Sequence, residues 1–85
     1  MNQFERLIHD GLLLDIRYDI FELWYYQCRL EENETNELKY FYEEIIMVIK
    51  LHLKKILILF NERYKYIPDC ISIMKEFKFK GRNNG

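Results

Sequence analysis

Residues 38–64, LKYFYEEIIMVIKLHLKKILILFNERY, have the pattern of one long helix, and this helix determines the architecture of the chain. Its apolar residues recur at helical spacing around most of the helix circumference. A helix of this length cannot bury so much apolar surface inside a chain of 85 residues. The stretch therefore predicts contact with a second copy of the chain or with another protein.

A second long helix is predicted before this stretch. Asn2 followed by Glu5 resembles a capping box, and apolar residues keep a spacing of three and four as far as residue 31. They form two neighbouring rows, one containing Leu7, Leu14, Tyr18, Phe21 and Tyr25 and the other Leu13, Ile16, Ile20, Leu23 and Leu30. Gly11 interrupts neither row, so we expect it to mark a close helix crossing or, alternatively, a break.

A short polar turn and a single proline divide the chain into three helices. The polar run 31–36 is short, which favours an antiparallel hairpin, and Pro68 ends the second helix. Asp69 can then cap a short third helix, although the alternation in residues 77–80 also allows a strand. The prediction is an all-α domain, residues 1–80, with helices at about 3–31, 36–66 and 69–78 and a disordered tail at 81–85.

The second helix carries more apolar residues than one neighbour can cover. One row, from Leu38 to Phe60, is expected to face the first helix. Another row follows its own spacing of seven, four and seven residues: Tyr40, Met47, Leu51 and Ile58. A second apolar stripe usually has a second packing partner. We therefore predict a homodimer that forms a bundle of four long helices, with Met47, Leu51 and Ile58 in the interface.

Composition and charge indicate the compartment, the source and the classes of partner to expect. The net charge is −1, so no overall field attracts nucleic acid or an anionic membrane. The longest apolar stretch, residues 45–60, is interrupted by lysines and is too short to span a bilayer. Two cysteines without a CxxC motif and no apparent signal peptide predict a cytoplasmic protein. Alanine is absent while Ile, Lys and Asn are abundant, which indicates a low-GC bacterium, its phage or another mobile element.

Aromatic residues concentrate near the predicted turn. Three follow one another at residues 24–26 and three more at 40–42. Consecutive residues on a helix point in different directions, so these aromatics cannot all enter one core. Tryptophan and tyrosine dominate protein-binding surfaces because they bring a large contact area at low entropic cost. We predict that Trp24, Tyr26 and Tyr40 bind a partner protein, against the alternative of core packing and half-exposed tyrosines.

Three acids share one face of the first helix. Asp15, Asp19 and Glu22 are spaced so that they form a stripe, which could dock a basic partner. The favoured interpretation is pairing within the hairpin, with Asp15 opposite Lys54 and Asp19 opposite Lys50. Exposed pairs of this kind contribute at most about 1 kcal/mol, but they help to fix the register.

No catalytic, cofactor or metal motif is present in the sequence. His9 and His52 are the only histidines, and neither has other ligands at metal-binding spacing. His52 is predicted to lie opposite Ile16 as a partly buried polar residue. We expect that the protein is not an enzyme and uses no cofactor.

The sequence thus predicts a small interaction protein that acts stoichiometrically on a partner protein, such as an inhibitor, an immunity protein or a phage counter-defence factor. The alternative is a small nucleic-acid-binding regulator that uses Lys50, Lys54, Lys55 and the basic C-terminus. There Lys75, Lys78, Lys80 and Arg82 interleave with Phe77 and Phe79, as in single-strand-binding segments. Because the segment is short and Glu76 dilutes its charge, a solvated amphipathic C-terminus is the favoured interpretation.

Overall fold

The computed structural model describes residues 1–32 and 35–82 and, for residues 78–82, the backbone alone. Three helices account for nearly all of this part: α1, Gln3–Glu32; α2, Asn36–Tyr64; and α3, Cys70–Arg82. No strand occurs among the described residues. The prediction of an all-α fold is confirmed.

Helix α1 begins at the predicted cap and runs without a break. The Asn2 Oδ1 atom accepts a hydrogen bond from the Glu5 backbone N–H at 2.7 Å. The Glu5 carboxylate does not complete a capping box, because it accepts bonds of 3.1 and 3.2 Å from the Arg63 guanidinium of α2. Gly11 lies inside α1, and a Cβ atom built there would meet no heavy atom within 4 Å. Gly11 is therefore neither a break nor a crossing point between the helices that the structure describes.

Helix α2 ends two residues before the predicted position. Lys65 adopts the left-handed conformation, with φ 61° and ψ 29°, and its N–H donates to the Asn61 carbonyl at 2.8 Å. The helix therefore ends before the residues whose backbone Pro68 restricts.

Helix α3 is capped by Asp69. Its Oδ1 accepts the Ser72 N–H at 3.0 Å, and its Oδ2 accepts the Ser72 hydroxyl at 2.8 Å. These bonds, led by the one from the Ser72 N–H, lower the pKa of Asp69. Helix α3 includes residues 77–80, so the alternative of a strand there is wrong. It also includes residues 81 and 82 of the predicted tail, while 83–85 lie outside the described residues.

The core is a thin seam between α1 and α2. Its apolar residues form two clusters, Ile16, Ile20, Ile56 and Phe60 near one end and Leu23, Ile46 and Ile49 nearer the turn. Helix α3 covers one side of α1, where the Phe77 and Phe21 rings lie 5.4 Å apart. Arg17 strengthens this contact, since its guanidinium lies 5.9 Å from the Phe77 ring and bonds Glu76 at 3.4 Å.

A single copy exposes an unusually large surface. Its accessible area is 6873 Å², whereas a compact monomer of this mass exposes about 5,500 Å². The radius of gyration is 15.1 Å, against about 12 Å for a compact domain of this length. The excess, roughly 1,400 Å² on one copy, is more than the roughly 800 Å² that each partner buries in a standard protein interface.

Candidate interaction surfaces

One apolar stripe runs along the outside of α1. We call it the α1 outer stripe; it consists of Leu7, Leu14, Tyr18, Phe21 and Tyr25, and all five are exposed. It is one of the two rows in the sequence; the other row, through Ile16, Ile20 and Leu23, packs on α2. With Gly11 included, the outer stripe repeats every four and three residues, which is the spacing of a seam between two helices.

A second apolar stripe runs along the outside of α2. This α2 outer stripe consists of Tyr40, Met47, Leu51 and Ile58, and Tyr40 and Leu51 are 70% and 60% exposed. It lies opposite the seam side of α2, because a helix turns about 100° per residue and Ile49 and Phe60 point inward. The three residues predicted for a dimer interface, Met47, Leu51 and Ile58, are thus accessible in a single copy.

The three predicted aromatic anchors do not form one patch. Tyr26 is half-buried on the α2 side of α1, with its ring 6.0 Å from that of Tyr42. Trp24 is half-buried on the other side, 5.9 Å from Phe21, which borders α3. Tyr40 belongs to the α2 outer stripe. Trp24 therefore adjoins one outer stripe and Tyr40 the other, while Tyr26 contributes mainly to packing.

The acidic face of α1 contains an interhelical pair that differs from the prediction. Asp19 is only 6% exposed, and its Oδ2 lies 2.6 Å from His52 Nδ1. Its predicted partner was Lys50. That prediction is wrong, because His52 lies on the flank of α2 beside Asp15 and Asp19, whereas Lys50 and Lys54 lie on the opposite flank. The His52 side chain is 58% exposed, so it is also less buried than predicted.

His9 is a packing residue at the open end of the hairpin. Its ring lies 4.8 Å from Tyr64 in an edge-on arrangement and 5.2 Å from Phe60. Its Nε2 lies 2.6 Å from the Tyr66 hydroxyl, and its Nδ1 lies 3.1 Å from Asp10 Oδ1. The Tyr64 hydroxyl, by contrast, is buried and has no hydrogen-bond partner among the described residues. The spacing of aromatic residues after Phe60 was the only sequence signal for this cluster.

Other kinds of site find no support in the described part of the chain. Within residues 1–32 and 35–82, no three His, Cys, Asp or Glu side chains are grouped so that they could hold a metal ion. None of the helices described contains a stretch long and apolar enough to cross a membrane. Of the basic residues predicted near the C-terminus, Lys75 is exposed on α3, and the side chains of Lys78, Lys80 and Arg82 lie outside the described residues.

Comparison of the chain with protein-family models, with curated proteins and with solved structures gave no match. The two outer stripes and the charged residues beside them are therefore the features from which a function can be inferred.

Proposed function

We propose that this protein is an interaction module that self-associates and binds a partner protein stoichiometrically, as an inhibitor, an immunity protein or a phage counter-defence factor does. It would act in the cytoplasm of a bacterium, or of the host cell if a phage encodes it. The observation that carries the proposal is the excess of exposed surface over that of a compact monomer, together with the two outer stripes.

In this proposal the two stripes have different partners. They lie on opposite sides of the hairpin, since the seam separates α1 from α2. Self-association through the α2 outer stripe, with Met47, Leu51 and Ile58 in the interface, leaves the α1 outer stripe free. The α1 outer stripe then binds the partner protein.

A helix is the shape of partner that best fits the α1 outer stripe. The alternation of four and three residues matches the seam of two packed helices. Gly11 lies in the same register, and the open space around it lets a foreign backbone approach closely. Trp24, beside Phe21, adds an aromatic edge to this surface. Covering these side chains gains roughly 1.5–3 kcal/mol for each that becomes fully buried, which offsets the entropic cost of association.

The test compares two variants that introduce the same charge at different places. Tyr18→Glu puts a carboxylate in the α1 outer stripe, and Ile71→Glu puts one at an exposed apolar position on α3 outside both stripes. Each tagged variant is used to capture protein from a low-GC bacterial lysate. We expect the wild type and Ile71→Glu to retain the same major protein at about one per chain, and Tyr18→Glu to lose it. Equal capture by Tyr18→Glu would contradict the proposal.

The aromatic anchors have a separate test. Trp24→Ala truncates the edge of the α1 outer stripe, and Tyr40→Ala truncates one end of the α2 outer stripe. We expect the single Trp24→Ala change to weaken capture of the partner and the single Tyr40→Ala change to weaken self-association. If Tyr40→Ala weakens capture of the partner and Trp24→Ala weakens self-association, the partner binds the α2 outer stripe instead.

Nucleic-acid binding is the alternative, and the charges on α2 weigh against it. Lys50 and Lys54 share their flank of the helix with Glu43, so this flank is not uniformly basic. A gel shift of single-stranded or double-stranded DNA or RNA at low salt, weakening steeply as salt is added, would instead support the alternative.

A further inference from the structure

The α2 outer stripe is symmetric about its midpoint. Counted from Ile49, Tyr40 and Ile58 are each nine residues away, and Met47 and Leu51 are each two residues away. Because of this symmetry, the α2 outer stripe is complementary in length and spacing to the same stripe of a second copy in the antiparallel orientation. The two copies then place Tyr40 of one against Ile58 of the other, and Met47 against Leu51.

The charges beside the stripe are divided between its two halves. Glu43 and Glu44 lie between Tyr40 and Met47, and Lys54 and Lys55 occupy the corresponding positions between Leu51 and Ile58. All four charged residues are exposed. One half of the stripe is therefore acidic and the other half basic.

These charges also fall on matching flanks of the helix. At about 100° per residue, Glu43 and Lys54 lie on one flank of the stripe, and Glu44 and Lys55 lie on the other. In an antiparallel pair related by a two-fold axis, each flank meets the same flank of the second copy. Glu43 then faces Lys54 of the other copy and Glu44 faces Lys55, which gives four pairs of opposite charge per dimer.

A parallel arrangement of the same two helices places like charges together. There each flank meets the opposite flank at the same height, so that Glu43 approaches Glu44 of the other copy and Lys54 approaches Lys55. Like charges across a helix interface oppose association and so select against that orientation.

We propose that a second copy of this chain occupies the α2 outer stripe, antiparallel to the first, with a two-fold axis that passes between the two α2 helices at the level of Ile49. The inference rests on the self-association in the proposed function and specifies its orientation and contacts. The α2 outer stripe is exposed in a single copy, and the roughly 1,400 Å² that one copy exposes in excess is more than the roughly 800 Å² that each partner contributes to an interface of standard size. The α1 outer stripes lie on the two outer sides of the resulting layer of four helices.

Disulfide cross-linking tests the orientation directly. In a background with Cys28→Ser and Cys70→Ser, Tyr40→Cys and Ile58→Cys are prepared as separate proteins. Positions 40 and 58 are about 27 Å apart along α2, far beyond the 4.4–6.8 Å between Cα atoms that a disulfide allows. We expect a covalent dimer when the two proteins are mixed and oxidised, and little when either is oxidised alone. Dimers of each protein alone would indicate a parallel pair and would overturn the proposal, as would the absence of cross-linking in the mixture.

Charge reversal provides an independent test that leaves the apolar contacts in place. Lys54→Glu with Lys55→Glu makes both halves of the stripe acidic, and we expect dimerisation to weaken about tenfold or more at low salt. Adding Glu43→Lys and Glu44→Lys exchanges the two halves and should restore the wild-type dissociation constant, measured by sedimentation. Unchanged dimerisation in the double variant, or no recovery in the quadruple variant, would contradict the pairing. Circular dichroism verifies that every variant keeps its helices.

The outcome of these experiments is separate from that of the partner capture. Loss of cross-linking with capture that still depends on Tyr18 would overturn the antiparallel dimer alone. Cross-linking in the mixture with capture independent of Tyr18 would overturn partner binding at α1 and leave the dimer intact.

Discussion

Replacing Phe60 tests which face of α2 forms the core. Phe60 is 0% exposed and packs in a cluster with Ile16, Ile20 and Ile56. Its ring also lies 4.9 Å from Tyr64 and 5.2 Å from His9. Truncating a buried phenylalanine to alanine removes the transfer free energy of the ring and leaves a cavity, and it costs about 3–5 kcal/mol. A domain of this length has a free energy of unfolding of roughly 4–13 kcal/mol, so Phe60→Ala should remove a large fraction of it.

The matched control is the neighbouring residue. Leu59 is 58% exposed and belongs to neither core cluster nor outer stripe. Leu59→Ala should therefore cost no more than about 1 kcal/mol. Both variants are unfolded in urea at one chain concentration, because self-association makes apparent stability depend on concentration. If the free energy of unfolding falls equally in the two variants, or falls more in Leu59→Ala, then Phe60 does not lie on the buried face of α2.

Three further predictions concern the end of α2 and the start of α3. Tyr64→Phe removes a buried hydroxyl that has no partner in the described part of the chain, and it should raise the free energy of unfolding by about 1 kcal/mol. Tyr66→Phe removes the bond to His9 and should lower the free energy of unfolding by about 0.5–1.5 kcal/mol. Urea titrations that show both variants shifting in the same direction would contradict this contrast. Lys65→Gly relieves the strain of a left-handed backbone conformation and should raise the free energy of unfolding by about 1 kcal/mol, seen as a higher melting temperature. A lower melting temperature would mean that α2 does not end at this residue. The pKa of Asp69 is lowered in the folded chain by its bonds to Ser72. The stability that its ionised form adds is therefore fully present above the pKa of the unfolded chain, near 3.9, and is lost as the pH falls through the lower pKa of the folded chain. Wild type and Asp69→Asn should therefore differ in urea stability at pH 7 and converge near pH 2, and a constant difference would exclude ionised Asp69 as the cap.

The sequence was sufficient to predict the three helices because each signal was local. Asn2 and Asp69 are caps whose side chains reach the first turn of their own helices, and the helical spacing of apolar residues does not depend on distant contacts. The end of α2 was misplaced because Lys65 adopts a left-handed conformation that is much commoner for glycine. No preference of lysine itself predicts this conformation.

The pairing between helices was harder to predict because it depends on rotation about each axis. Two apolar rows run along α1 in the sequence, and only packing decides that the row with Ile16 faces α2 and that Tyr18 stays outside. The same rotation gives Asp19 a partner in His52 and not in Lys50. A change of one residue in phase turns a helix face by about 100°, so small errors exchange one partner for another.

The molar mass of the native chain in solution shows whether one copy exposes more apolar surface than it can keep in water. Size-exclusion chromatography with light scattering, from micromolar to near-millimolar concentration, measures it without any substitution. We expect a species of twice the 10.6 kDa of one chain, and the mass of a single chain when Leu51→Glu places a carboxylate near the centre of the α2 outer stripe. A single folded copy at every concentration, with no binding of a hydrophobic dye, would contradict this expectation.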